Sequence, residues 1–241
     1  MAQPTNTFDS YDAIGNREDL QDKIYMVSPE KTPVVSSIRR FTATQRLHEW
    51  QRDSLATPNK DNAVIEGDDR TGTALTATSR VANTVQLFDK VAVVSGTQEK
   101  TKSAGRGSEM KYQISKKMVE LKRDIEAMVL SDNVAVAGNS STARKSAGLG
   151  AMIYTNISHG GAGATPAHTS GLATAAQTAG TNRAFIETLL KTVLQASYTT
   201  SGEFPSLISL TPSHKGTFSA FAGIAANRYQ VAKGKQGVIV G

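Results

Sequence analysis

Residues 108–131, SEMKYQISKKMVELKRDIEAMVLS, carry a stripe that commits the chain to one long amphipathic helix. Met110, Ile114, Met118, Leu121, Ile125 and Met128 follow at intervals of 4, 4, 3, 4 and 3, which keeps them on one helical face. Ser108 stands where an N-cap belongs, just after Gly105-Arg106-Gly107. The opposite face predicts the ion pairs Lys116–Glu120 and Lys122–Glu126, each worth about a few tenths of a kcal/mol. At about 1.5 Å per residue the helix measures roughly 36 Å, longer than the globular average. A helix of that length is suited to be the spine of a flat domain.

The segment before it reads as an arm followed by β structure. Residues 1–47 are sparse in apolar side chains and are interrupted by Pro29 and Pro33. Asp19 is expected to open a short helix bearing Leu20, Ile24 and Val27, and Thr32-Pro33 to open another with proline at its first position. An arm like this must lie on something else. Leu47-His48-Glu49-Trp50-Gln51 alternates as a half-buried strand does, and Val81 to Val94 predicts a long strand with Val85, Leu87, Val91 and Val93 on one face. The polar stretch 52–73 between them predicts a long protruding hairpin. Connections of that length are functional or form interfaces.

Beyond the helix, residues 138–182 are rich in Gly, Ala, Ser and Thr and read as loop, not core. A second helix is expected at about 183–197 with Asn182 as its cap. Ser206–Leu210 is a buried strand candidate, Thr211-Pro212 opens a further helix ending near Gly223, and residues 237–241 begin a strand without a partner in the chain.

Composition removes whole classes of function. The absence of cysteine excludes a disulfide scaffold, a thiolate metal site and a cysteine nucleophile. His48, His159, His168 and His214 are too scattered to ligate a metal from one helical turn. No apolar run approaches the roughly 18–20 residues of a membrane helix, and MAQPTNTFDS lacks the character of a signal peptide, so no membrane partner is expected. The formal net charge is +6, from 27 Lys+Arg against 21 Asp+Glu. It is unevenly spread: 0 over residues 1–60, −2 over 61–100, +4 over 101–145 and +4 over 146–241. That asymmetry suits nucleic-acid binding, docking on another copy, or a merely solvated surface.

The apparent catalytic motifs fail on spacing. Gly138 to Ser146 resembles a phosphate-binding loop, but it is one residue too long and Arg144 replaces the second glycine. Gly160, Gly161 and Gly163 lack the third glycine of a dinucleotide site, since Pro166 stands there. Glu66-Gly67-Asp68-Asp69 could attract a hard cation but lacks the rest of a ligand loop. Ser213-His214 is better read as a helix cap than as part of a triad. Neither an enzyme nor a cofactor is expected.

Several stretches taken together resemble one known family. They are Thr7-Phe-Asp-Ser-Tyr-Asp-Ala-Ile-Gly-Asn-Arg-Glu-Asp-Leu20, His48-Glu-Trp50-Gln, Asn62-Ala-Val-Ile-Glu-Gly-Asp-Asp69, Val94-Ser-Gly96-Thr-Gln-Glu99, Gly105-Arg-Gly-Ser-Glu109 and Leu121-Lys-Arg-Asp-Ile-Glu126. In sequence and in element order the chain resembles the major capsid proteins of tailed bacteriophages with the Hong Kong 97 fold. The resemblance implies an α+β fold with an N-terminal arm at 1–47, an extended loop at 48–96 and a peripheral domain at 97–205. It implies the start of an axial domain at 206–241, with further axial strands expected beyond the residues given.

The function it implies is a structural subunit that self-assembles through pentamers and hexamers into a head shell around double-stranded DNA. Portal, scaffold and decoration proteins are the implied further partners, and the virion the implied location, after synthesis in the host cytoplasm. Trp50, Glu66, Asp68, Asp69, Arg106, Lys111, Lys116 and Lys117 are the expected inter-subunit contacts. The acidic loop tip would lie on a neighbour's basic surface. The alternative is a basic nucleic-acid-binding protein using Lys111, Lys116, Lys117, Lys122 and Arg123, a face diluted by Glu109, Glu120, Asp124 and Glu126 and poor in aromatics. A nucleotide-binding enzyme using Lys145 ranks third.

Overall fold

The computed structural model describes residues 6–16, 18–69, 71–221, 228–231 and 235–238. Helix and strand are mixed along it as α1 Pro33–Ser37, β1 Leu47–Arg52, β2 Ser79–Thr84, α2 Gly96–Lys100, α3 Glu109–Val129, α4 Leu149–Met152, β3 Ala167–Thr169, β4 Leu172–Ala175, α5 Glu187–Ser201, α6 Pro212–Ser219, β5 Arg228–Val231 and β6 Lys235–Val238. The fold is α+β, as expected. Among the described residues the strands form three antiparallel pairs, β1–β2, β3–β4 and β5–β6. No described helix is long and apolar enough to cross a membrane. The chain divides into two units, residues 1–31 with 89–123 and residues 32–88 with 124–241, and the boundary falls inside α3.

In the first unit the N-terminal segment has a resting place. The Gly105 N–H donates to Asp22 Oδ1 at 2.9 Å, and the Ile24 side chain packs against Gly105. The helix expected from Asp19 does not form; residues 18–31 run without regular structure. Three apolar residues before Pro29 cannot offset helix nucleation, and Asp22 spends its carboxylate on Gly105 instead of on a local turn. α3 starts within a residue of its predicted position. Its N-terminus is capped twice: Lys111 N–H donates to Ser108 Oγ at 3.3 Å, and Met110 N–H to Glu99 Oε2 at 2.9 Å. The Ser108 hydroxyl donates to the other Glu99 oxygen at 2.7 Å. Those bonds, led by the hydroxyl, hold the Glu99 carboxyl below its usual range, and the anion sits where the helix dipole favours it.

In the second unit β1 and β2 pair from Leu47↔Thr84 to Arg52↔Ser79. β2 is buried on both faces, Val81 on one and Ala82 and Thr84 on the other, while β1 is largely exposed. The long strand expected to reach Val94 stops at Thr84. Val91 and Val93 are exposed, and the chain crosses from one unit to the other between Phe88 and Asp89. Glu126 does not pair with Lys122 at helical spacing as expected. Its two oxygens accept the Val34 and Val35 N–H groups at 2.9 and 2.7 Å and thereby cap α1, whose Val34 is buried.

The stretch 138–182, expected to be loop, supplies much of the core instead. Ala147, Ala151 and Ala173 are buried together, with Val134, Ala135 and Met152 packed on them. Small residues replace large apolar ones because backbones meet directly. A Cβ on Gly171 would lie 2.1 Å from Arg80 O, and one on Gly148 would lie 2.2 Å from Ser131 O. The Ala82 N–H donates to Gly171 O at 3.0 Å and the Ala135 N–H to Ala173 O at 3.1 Å.

The later elements shift from expectation. α5 begins at Glu187, five residues after the expected cap Asn182, and Ile186 occupies its N-cap position. Residues 206–210 form no strand, and Leu207 and Ile208 are exposed. α6 begins as predicted, with the Thr211 hydroxyl accepting from His214 N–H, but it ends at Ser219, four residues short of the expected Gly223. The strand expected at 237–241 falls at 235–238, and β5 is its partner within the chain.

Candidate interaction surface

The hairpin is fastened at its root and free at its tip. At the root, Asn83 grips Ala147 by both backbone groups: its Nδ2 donates to Ala147 O at 3.1 Å and its Oδ1 accepts Ala147 N–H at 2.9 Å. Beside it the Ser146 hydroxyl donates to Thr84 O, and Ser146 N–H donates to Gln86 Oε1 at 3.1 Å. At the far end Arg52 Nε donates to Ser79 Oγ at 2.9 Å and Thr78 Oγ1 to Gln51 Oε1 at 3.0 Å. From there residues 53–78 depart, and every described one is exposed. Leu55 and Leu75 are 99% and 98% accessible, so they touch almost nothing in their own chain.

Glu66, Asp68 and Asp69 come together at a turn in this connection, where Asp68 N–H donates to Ile65 O at 3.3 Å and Gly67 has φ +84°. Trp50 lies on the stem. It is 40% accessible and stacks on His48 at 5.8 Å, which meets Phe41 at 4.7 Å. The Trp50 and His48 rings both belong to the strand expected at Leu47–Gln51, where residues two apart share a face, whereas nothing local pointed to Phe41.

The expected cations differ in availability. Arg106 is ion-paired with Glu109 and lies over the Tyr112 ring at 5.4 Å. Lys117 pairs with Glu120 at 2.7 Å, in place of the expected Lys116. That hydrogen bond, opposed by partial desolvation and aided by the charges of Lys117, Lys116 and Lys90, lowers the Glu120 pKa. Lys111 and Lys116 are exposed. On the same helix Ile114 and Met118, placed by their spacing on its buried face, are 47% and 59% accessible and line a shallow groove of about 210 Å³ with Lys90 and Ala92. The lookalike phosphate loop is a tight turn: Asn139 Oδ1 accepts from Ser141 N–H and Thr142 N–H at 2.9 and 2.8 Å. No helix starts there, since α4 begins only at Leu149.

The described surface thus offers a rooted projection and exposed apolar side chains on loop and helix. The SU10 major capsid protein family matches residues 3–240. The chain belongs to that family. A major capsid protein of Escherichia phage Phieco32 is 38% identical over 131 residues, which cover 54% of this chain and 37% of that protein. The match therefore spans a little over a third of that relative's length. As an SU10-type capsid protein the chain has a structural role in a phage head and belongs in the virion.

Proposed function

We propose that this capsid chain folds on the Hong Kong 97 plan and self-assembles, through rings at five-fold and six-fold positions, into the closed shell around packaged double-stranded DNA. In that reading residues 1–47 are the arm, 48–96 the extended loop, 97–205 the peripheral domain around α3, and 206–241 the start of the axial domain. Portal and scaffold proteins are its expected partners in the host cytoplasm, where the chain would be made. The observation that carries the reading is the projection at 53–78, held on a hairpin that is bonded to Ala147 at its root and to Gly171 along β2, with Leu55 and Leu75 almost wholly accessible. A surface of that kind is completed by a neighbour. The acidic tip Glu66, Asp68 and Asp69 would rest on a neighbour's basic surface, with Trp50 on the stem and Arg106, Lys111, Lys116 and Lys117 as further contacts. Many modest contacts made together give a shell a stability that no single one provides.

Sedimentation and negative-stain imaging of the full-length protein decide the matter. Closed megadalton particles are expected. A discrete monomer or dimer whose only association is with nucleic acid, falling steeply with salt, would refute the reading.

A further inference from the structure

At the root end of the hairpin lies a cavity of about 420 Å³, lined by Arg46, Leu87, Asn139, Ser140, Thr142 and Arg144 among others, and by no carboxylate. Arg46 immediately precedes β1, and its carbonyl accepts Val85 N–H at 2.8 Å, one step beyond the ladder. Arg144 is half-buried, with its aliphatic stem across Gly138, where an added Cβ would lie 2.6 Å from Arg144 Cγ. The turn carrying it is closed by the Asn139 cap and by the Val136 and Lys145 backbone bonds at 2.9 and 3.0 Å. No ion pair among the described residues engages Arg46 or Arg144. Two guanidinium groups at a preformed, acid-free cavity are suited to carboxylates, which arginine binds in a planar, paired geometry.

The chain's own carboxylate cluster lies away from this cavity. A ladder of six residues, roughly 20 Å long, separates Arg46 from the far end of β1 at Arg52. The connection that bears Glu66, Asp68 and Asp69 hangs from that far end and lies off the chain, as the accessibility of Leu55, Ile65 and Leu75 shows. Acid and base therefore sit at opposite ends of one hairpin. We infer that the Arg46/Arg144 cavity receives the Glu66–Asp69 tip of a second copy, so that successive copies join head to tail. Such heterologous contacts close into rings when the rotation between copies allows it. The inference rests on the shell reading above and names the receptor within it.

The test uses full-length particles. This sequence contains no cysteine, so Ile65→Cys with Ser140→Cys places one thiol at the tip and one at the cavity while keeping every charge. Oxidised particles are expected to run as a ladder of multimers that collapses with reductant, whereas either single variant runs as single chains. Assembled particles of the double variant that give only single chains would overturn the inference and leave the shell reading standing. Arg46→Glu with Arg144→Glu should lower the ratio of particles to free chains roughly tenfold or more. Adding Glu66→Lys, Asp68→Lys and Asp69→Lys should restore it, which a folding defect would not permit. Base-reversed shells as salt-resistant as the wild type but poorer in DNA would assign the arginines to phosphate and also overturn it. Absence of particles from the unaltered protein would instead defeat the shell reading.

Discussion

Asn83 does more than any other single side chain to aim the projection. Its amide stands in for a strand partner, satisfying both backbone groups of Ala147 while its Oδ1 also accepts from Thr84 N–H at 2.8 Å. Asn83→Ala strands those groups in a part-buried site, and an unmet buried hydrogen-bonding group costs about 1–3 kcal/mol. Urea or thermal unfolding should report a loss of that size, or about 2–12 °C in Tm for a chain in this size range. Gly171→Ala should cost at least as much, because φ there is +82° and the new Cβ would meet Arg80 O at 2.1 Å. The same unfolding measurement checks it; an unchanged midpoint would mean that Gly171 and Arg80 are not in contact. Neither residue stands out in the sequence. Asparagine and glycine are ordinary turn formers, and their partners here lie 64 or more residues away.

At the level of elements, two short helices and one long one show how capping can come from outside the helix. Glu99, at the end of α2, caps α3, and Glu126, within α3, caps α1. Glu99 binds protons less tightly when folded, since the Ser108 hydroxyl and the Met110 amide favour its anion. Its contribution is therefore present above the ordinary carboxylate range and disappears as the pH falls through the lowered pKa. Glu99→Gln should be less stable than wild type at pH 7, with the difference closing in acid unfolding curves. Glu126→Ala should free residues 33–38 for limited proteolysis at neutral pH, while α3 itself persists by circular dichroism.

The α3 stripe and the β1–β2 pairing were legible from periodicity, as was the Thr211-Pro212 start of α6, because each is written in local spacing. The core at Ala147, Ala151 and Ala173 was not, since alanine and glycine carry no periodic hydrophobic signal and pack through backbone proximity. The end of β2 and the position of α5 were also misread. Apolar spacing continues through Val91 and Val93 and through Phe185 and Ile186, but nothing in it marks where a partner strand or a helical ladder ends. Of the candidate surface, the acidic tip and Trp50 were visible as composition. Arg46 and Arg144 were not, because residues nearly a hundred positions apart meet only in the fold.

For the whole molecule, the surface of the described residues is broadly apolar. Large apolar side chains share in it, among them Ile14, Leu55, Leu75 and Val93. Free chains should accordingly bind a hydrophobic dye such as ANS strongly and lose that fluorescence as they assemble; unchanged fluorescence through assembly would contradict this. The root of the hairpin also has a bearing on time. Residues 47–84 leave the ribosome before Ala147 does, and at about 5–20 residues per second the 64 residues from Asn83 to Ala147 take roughly 3–13 s. Until then the projection has no fixed bearing, and the Gly171 contact arrives later still. A nascent chain cannot present an aimed tip to its neighbours, so partner capture waits on completion of the body that holds it.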